Sequence, residues 1–368
     1  MPRKVTYLYF DDSTETAIPV KDNLDNEDLV INIERELSWV QIVGRLLDVE
    51  STFDGLILDW RLDGTDASKA DFSSEALAQQ CRRLQVDKVN GRGFTKSFPI
   101  ILCSAQQGFS TIYKKDTTSE DLFDSIFDKS ELEDEGEFLL SLVKGYKTLS
   151  EPGVSIQKII GLDASEQKKI DDSLIRKIIE IKERQPHEMV QFLLKEVIDV
   201  KGALIDNNTL AVRLGVDPTS DGWEVLKKEM APFKYKGILL NDERWWADLI
   251  NEWWTNEFEG TTLKFLTSSE RINSIEKKYI GLIGLLKEPK LSVGSDSKEF
   301  WTVCYATKNP IAEVDGFIID KHLHYSWQER EYICLDEAKN EDFRGEIWGS
   351  LLSYEEERLK SYFEDTTK

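Results

Sequence analysis

Short apolar runs and longer mixed segments alternate along the first 150 residues of the chain. Runs rich in Val, Ile, Leu and aromatic residues are typical of buried strands, whereas apolar residues at steps of three and four are typical of helices. Their alternation predicts an α/β fold with helices on both faces of a doubly wound parallel sheet. The predicted strands are 4–10, 28–34, 55–60, 98–103 and 123–128, and the predicted helices are 36–50, 73–85, 117–122 and 134–148.

The segment from Ser13 to Asp28 departs from this alternation. It lacks a sustained apolar period and contains Pro19 and Asn23, which both interrupt helices. The pattern therefore predicts that a full first helix does not form between the first two strands.

The pattern changes after Glu151, where Pro and Gly end the preceding helix. We predict three domains: 1–150, a helical and Trp-rich domain at 151–290, and a small antiparallel sheet with a C-terminal helix at 291–368. In the second domain Ile170, Leu174, Ile178 and Ile181 form an apolar helical stripe. This stripe either packs within the chain or serves as a homodimer interface.

Four polar positions stand at or just past the ends of the strand-like runs of the first domain. They are Asp11 with Asp12, Asp59, Ser104 and Lys129. Because the C-terminal ends of parallel strands share one edge of the sheet, these side chains are expected to converge. Three crowded carboxylates repel one another, and a hard cation such as Mg²⁺ relieves that repulsion. The sequence therefore predicts a magnesium site.

This order of residues across 1–150 resembles the receiver domain of two-component response regulators, which has a flavodoxin-like fold. The resemblance implies that Asp59 accepts a phosphoryl group, which Ser104 and Lys129 contact. It also implies that Mg²⁺ is held by Asp11, Asp12, Asp59 and the backbone carbonyl of Arg61. A histidine kinase or phosphotransfer protein would then be a partner. The chain departs from the family at Ser130, where a proline usually follows the lysine.

Charge and composition limit which partners the protein is expected to bind and in which cellular compartment it is expected to act. The 368 residues carry a net charge of −22 and contain no run of basic residues. This argues against a protein that binds the phosphate backbone of nucleic acids. No run approaches the roughly 18 apolar residues of a membrane span. The four cysteines have no paired spacing, which is typical of reduced thiols. We therefore expect a cytoplasmic protein that binds neither nucleic acid nor membrane.

Two clusters in the second half leave alternatives open. The Trp-rich region, with Trp245, Trp246, Trp253 and Trp254, predicts either an aromatic core or a docking surface for a protein partner. A second set combines two cysteines and two histidines of predicted extended segments, and these either bind zinc or are ordinary strand residues. Its members are Cys304, His322, His324 and Cys334.

The first functional hypothesis is a cytoplasmic response regulator that is phosphorylated on Asp59 and relays its state to an atypical output region without DNA binding. Such a protein is a phosphoacceptor rather than a stand-alone enzyme. One alternative is a receiver-like scaffold that assembles with proteins without phosphorylation. The other is an enzyme of unknown chemistry in the C-terminal half, regulated by the receiver-like domain.

Overall fold

The computed structural model describes residues 3–34, 38–62, 72–86, 93–106, 122–239, 242–258, 261–340 and 351–365. The helix predicted at 117–122 lies, except for its last residue, outside these ranges. In the described part of the chain, no helix is both long and apolar enough to cross a membrane.

The N-terminal region is built on a five-stranded sheet, as predicted. All neighbouring strands are parallel, and the strand order is β2-β1-β3-β4-β5. This order and direction are consistent with a flavodoxin-like domain and confirm the predicted α/β class. The strands are β1 (Val5–Phe10), β2 (Leu29–Glu34), β3 (Gly55–Asp59), β4 (Ile100–Ser104) and β5 (Ser125–Asp128).

The central strands are buried along their whole length, which is why their sequences are continuously apolar rather than alternating. Every residue of β3 and of β4 is buried. Gly55 opens β3 where a Cβ atom would stand 2.3 Å from the ring of Tyr7, so only glycine fits beside this ring. The ring is fixed in turn, since its hydroxyl donates a hydrogen bond to the Leu139 carbonyl at 2.9 Å.

Helices flank the sheet, and the first of them corrects the prediction. A helix of 11 residues, α1 (Thr14–Leu24), forms although Pro19 lies inside it. Ala17, Val20 and Leu24 are its buried face, at steps of three and four. Because packing of such a face supplies most of a helix's stability, it outweighs the hydrogen bond that the proline removes. The other helices here are α2 (Trp39–Asp48), α3 (Ser74–Val86), α4 (Lys129–Leu132) and α5 (Gly136–Leu149).

A buried ion pair fixes the start of β5 against α3. The Arg82 guanidinium, on α3, donates to Asp124 Oδ2 at 2.8 Å, and both side chains are almost fully buried. Asp124 also accepts from the Tyr146 hydroxyl at 2.7 Å and from the Ile100 amide at 2.7 Å. Arg82 completes its donors on the carbonyls of Leu122 and Phe98. All these buried polar groups have hydrogen-bond partners, as is usual for polar groups inside a protein.

The chain divides into two compact units. The first, which we call the N-terminal unit, comprises 1–161, 177–194 and 237–241, and the second comprises 162–176, 195–236 and 242–368. The three domain boundaries drawn from the sequence stay predictions.

The remaining helices are mostly short. They are α6 (Ile156–Ile160), α7 (Asp172–Lys182), α8 (Pro186–Leu193), α9 (Asn207–Arg213), α10 (Trp223–Glu229), α11 (Ala247–Glu257), α12 (Ser268–Lys278), α13 (Leu335–Lys339) and α14 (Ser353–Asp365), with a π-helix at Leu194–Ile198. Single 3₁₀ turns occur at Glu50–Thr52, Gln167–Lys169, Ala231–Phe233, Leu263–Phe265 and Ile280–Leu282. The predicted final helix is α14, and the apolar stripe from Ile170 to Ile181 is buried.

The structure does not confirm the small antiparallel sheet predicted at 291–368. Described residues form three antiparallel pairs, each of two-residue strands: β6 (Leu204–Ile205) with β7 (Trp245–Trp246), β8 (Thr302–Val303) with β9 (Pro310–Ile311), and β10 (Phe317–Ile318) with β11 (Tyr332–Ile333). A single C-terminal sheet is therefore not seen in this part of the chain.

Candidate functional site

The predicted polar positions gather at one edge of the N-terminal sheet. Asp11 and Asp12 directly follow β1, Asp59 ends β3, and Lys129 directly follows β5. Carboxylate oxygens of the three aspartates all lie within 4.8 Å of one another. Parallel strands that end at one edge bring together residues that are more than 100 positions apart in sequence, as in the Lys129–Asp11 pair.

Lys129 holds the centre of this cluster. Its ammonium lies 2.6 Å from Asp11 Oδ2 and 2.9 Å from Asp59 Oδ1. The same Nζ atom donates to the hydroxyl of Thr16, on α1, at 2.8 Å. A lysine has three N–H donors, so this arrangement engages all of them. The lysine is only 7% exposed, and such a buried cation requires these partners.

Burial and charge act in opposite directions on the two partners. Burial raises the pKa of Asp59, and this effect outweighs the lowering by Lys129. Burial lowers the pKa of Lys129, but the charges of Asp59 and Asp11 outweigh it and leave that pKa raised. The lysine therefore stays protonated while ionised Asp59 carries a cost that a further cation would relieve.

The chemistry of the acidic cluster fits a divalent cation. Asp11 and Asp59 are buried, whereas Asp12 is exposed, so one side of the cluster borders the solvent. Hard cations such as Mg²⁺ take carboxylate oxygens and retain several waters, which an open side permits. Asp11, Asp12 and Asp59 are the residues that would hold it. Among the described residues, this is the one group of three or more potential ligands close enough to share an ion.

Arg61 and Ser104 lie at the same edge of the sheet. The Arg61 amide donates to Asp59 Oδ2 at 3.1 Å, which orients the carboxylate. Ser104 is the last residue of β4 and is 4% exposed. Its hydroxyl accepts a hydrogen bond from the Gln106 backbone amide at 3.2 Å. Both positions suit the predicted roles, the Arg61 carbonyl as a metal ligand and Ser104 as a phosphoryl contact, and these roles stay predictions.

Two residues of the site were not found from the sequence. Thr16 contacts Lys129, and the Tyr9 hydroxyl hydrogen-bonds with Asp11. Burial raises the pKa of Tyr9, so its hydroxyl remains a donor to the carboxylate. Thr16 was overlooked because α1 was not predicted, and the helical spacing of Ala17, Val20 and Leu24 was the signal that could have revealed it.

The second-half clusters are placed differently from the acidic one. Cys304 and Cys334 are buried, and the Cys334 amide donates to Cys304 Sγ at 3.3 Å, while the rings of His322 and His324 are 4.8 Å apart. These four residues do not meet as a group of three or more ligands among the described residues. They therefore do not form a four-ligand zinc site.

Most of the Trp-rich region is core. Trp245, Trp246 and Trp254 are at most 1% exposed, and Trp253 is partly exposed beside them. Packing accounts for the three buried rings. A protein partner at this region stays a prediction, and Trp253 is the ring that it could reach without rearrangement of the core.

Neither the scan against protein-family models nor the search of curated proteins finds a match to this chain.

Ionisation of buried Asp59 should make stability depend on pH. Its raised pKa means that the folded state binds the proton more tightly than the unfolded state. Protonation of Asp59 therefore stabilises the folded state at pH values below the ordinary carboxyl pKa. This stabilisation is lost as the pH rises through the raised pKa of Asp59. We expect the free energy of unfolding of Asp59→Asn, relative to that of the unmodified protein, to rise across this window. Urea unfolding at a series of pH values measures it.

The matched control is Asp48→Asn, at an exposed position that ends α2. A pH profile of Asp59→Asn that parallels the profile of the control would show that Asp59 carries no such cost.

Proposed function

We propose that residues 1–150 form a receiver domain that accepts a phosphoryl group on Asp59, in a cytoplasmic signalling protein. The observation that carries the proposal is the Lys129 ammonium, 2.6 Å from Asp11 and 2.9 Å from Asp59, at the strand ends of a parallel sheet with order 2-1-3-4-5. An acceptor carboxylate, a neutralising lysine and a cation-binding pair of aspartates suit transfer of a phosphoryl group, since such transfer depends mainly on positioning and charge neutralisation.

The chain's own residues have distinct roles in this reaction. An oxygen of Asp59 forms a bond to phosphorus while the P–N bond of a donor phosphohistidine breaks, and the imidazole leaves with the electron pair and takes up a proton. Lys129 neutralises charge on the phosphoryl oxygens, and the Ser104 hydroxyl donates to one of them. Mg²⁺ bound by Asp11, Asp12 and Asp59, with the Arg61 carbonyl, would supply further positive charge.

A beryllofluoride titration tests the proposal directly, because this anion mimics an acyl phosphate. In the presence of Mg²⁺ we expect a saturable change in tryptophan fluorescence, since Trp60 directly follows Asp59. With acetyl phosphate and Mg²⁺, mass spectrometry should show one added phosphoryl group. Asp59→Asn is expected to abolish both signals, because the amide oxygen is a poor nucleophile and lacks the charge that the anion complex requires.

Two controls define the result. Trp60→Phe should remove the fluorescence change and retain phosphorylation, which assigns the reporter. Asp48→Asn should retain both signals. A fluorescence or mass response that persists in Asp59→Asn, or one that needs no Mg²⁺, contradicts the assignment.

The first helix bears on the proposed kinase or phosphotransfer partner. Proteins of the receiver family are contacted by their kinases beside this helix. The helix is present, and Ile18 is exposed on it. An exposed apolar side chain of this kind suits docking of a histidine kinase or phosphotransfer protein. The second unit would then be the output, without DNA binding.

One observation favours the scaffold alternative. Lys129 already pairs with Asp11 and Asp59, and its third N–H donates to the Thr16 hydroxyl. A site neutralised in this way can be a structural element that needs neither Mg²⁺ nor phosphorylation. In that case the protein should assemble with its partners to the same extent with and without Mg²⁺, and Asp59→Asn should not change the assembly. Size-exclusion chromatography measures it.

A further inference from the structure

Two of the three histidines of the chain lie side by side in the second unit. The ring centres of His322 and His324 are 4.8 Å apart, and both residues are exposed. His322 forms no hydrogen bond or ion pair with any described residue, so its ring can turn about its side-chain torsions. Neutral imidazole is a common ligand of Zn²⁺ and related transition metals. The pair therefore offers two exposed nitrogen ligands at one place.

A carboxylate stands beside the second of these rings. Glu196 Oε1 lies 3.4 Å from His324 Nδ1. An N–H···O hydrogen bond usually measures about 2.7–3.2 Å, so this separation is longer than an ordinary one. Two ligand atoms that share a tetrahedral zinc ion, each about 2.1 Å from it, are about 3.4 Å apart. Nδ1 of His324 and Oε1 of Glu196 are therefore spaced as two ligands of one zinc ion.

Gln328 holds both the carboxylate and the histidine backbone in this arrangement. Its side chain is buried, and its Nε2 donates to Glu196 Oε2 at 2.6 Å. Its Oε1 accepts from the backbone amides of His324 at 2.8 Å and of Tyr325 at 3.2 Å. Partners of this kind, which orient a ligand from behind, are characteristic of metal sites. The bond to Oε2 leaves Oε1 of Glu196 for the side that faces His324.

Glu196 lies in the π-helix Leu194–Ile198, which is an unusual form of backbone. π-helical turns are rare and occur frequently at functional sites. The backbone carbonyl of Glu196 accepts from Trp327 Nε1 at 3.0 Å and from Gln328 Nε2 at 3.2 Å. These bonds join the π-helix to the segment that carries the histidines, so the backbone on both sides of the site is held in place.

We propose that His322, His324 and Glu196 bind one Zn²⁺ ion, with water at the fourth position. Two histidines and one glutamate are a known donor set of zinc sites that keep an open position. The ligand atoms of His324 and Glu196 are already in place, and the exposed ring of His322 turns to complete the set. Imidazole nitrogens distinguish this site from the all-carboxylate cluster of the N-terminal unit, which suits Mg²⁺. The proposal is independent of phosphorylation on Asp59.

Calorimetric titration of the untagged full chain with Zn²⁺ tests the proposal. Excess Mg²⁺ is present, because it competes for sites made of carboxylates alone. We expect one Zn²⁺ per chain, bound about 10-fold or more weakly by His322→Ala and by His324→Ala, since even the loss of an outer partner costs about 10- to 100-fold. Glu196→Gln should weaken binding to a similar degree. His187→Ala is the matched control and should leave the affinity unchanged, because His187 is the third histidine and belongs to the N-terminal unit.

Nitrogen-15 chemical shifts of the histidine rings identify which atom binds the ion. Zinc is expected on Nδ1 of His324, the atom that faces Glu196. Thermal unfolding without zinc checks that each variant is folded, and His322→Ala, at an exposed position, decides the matter if His324→Ala unfolds. The proposal is overturned if no Zn²⁺ binds in excess Mg²⁺ or if His322→Ala and His187→Ala have the same affinity. It is also overturned if zinc binds Nε2 of His324, since Glu196 would then orient the ring without contacting the ion.

Discussion

Replacing Arg82 with methionine should destabilise the N-terminal unit by about 3–5 kcal/mol, the usual effect of removing one partner of a buried ion pair. Arg82→Met keeps the apolar stem but leaves the Asp124 carboxylate buried with the Tyr146 hydroxyl and the Ile100 amide as its remaining donors. The Leu122 carbonyl loses its Arg82 donor as well, whereas the Phe98 carbonyl keeps the Gln85 side-chain amide as a donor. Urea unfolding gives the free energy, and hydrogen exchange of β4 and β5 amides locates the loss.

The neighbouring residue supplies the control. Arg83 is exposed and donates to Gln80 at 3.2 Å, so Arg83→Met should change the free energy of unfolding by less than about 0.5 kcal/mol. The double variant Arg82→Met/Asp124→Asn should recover part of the loss, because it removes the uncompensated charge. Equal stabilities of Arg82→Met and Arg83→Met would show that the pair does not stabilise the fold.

Lys129→Met is expected to have two opposite effects. Without Mg²⁺ it should destabilise the unit by about 3–5 kcal/mol at neutral pH, because Asp11 and Asp59 lose a buried cation. At the same time it should tighten Mg²⁺ binding, because the ammonium no longer competes for the same carboxylate oxygens. Added Mg²⁺ should therefore restore much of the lost stability. Calorimetric titration with Mg²⁺ and thermal unfolding with and without the ion measure both effects.

Lys147→Met is the corresponding control, since Lys147 pairs with Asp54 at 3.0 Å on the surface of the same unit with most of its side chain exposed. It should leave both stability and Mg²⁺ affinity nearly unchanged. If Lys129→Met binds Mg²⁺ no more tightly than the unmodified chain does, then the lysine and the cation do not share these ligands.

The sheet and its acidic edge could be predicted because their signals are local. Each buried strand is a short apolar run, and its polar terminus is the next residue or two, as with Asp59 at the end of β3. The rule that parallel strands end at one edge then brought Asp11 and Lys129 to the same place without any knowledge of contacts.

The first helix shows where local signals fail. Pro19 and the low overall hydrophobicity of 13–28 weigh against a helix, and the buried residues Ala17, Val20 and Leu24 become informative only beside the sheet that covers them. Tertiary packing overrode propensity there. Thr16 was lost with the helix, although it contributes one of the three acceptors of Lys129.

A cavity of about 450 Å³ in the second unit was beyond sequence reasoning for a different reason. Asp171, Arg213, Asp248 and Trp301 come from separate segments with no regular spacing. No period relates them, and the short strands of this unit impose no common edge. Only the folded chain brings such residues together, so a cavity of this kind leaves no motif in the sequence.

The three donors of Lys129 make the start of α1 part of the acidic cluster. Any new acceptor placed on Asp59 has to be accommodated by a nitrogen that already serves Asp11, Asp59 and Thr16. One existing bond must then lengthen, and two of the three lead to β1 or to the helix that follows it. A chemical change on Asp59 would therefore weaken a contact to the end of β1 if the bond to Asp11 lengthens, or a contact to α1 if the bond to Thr16 does.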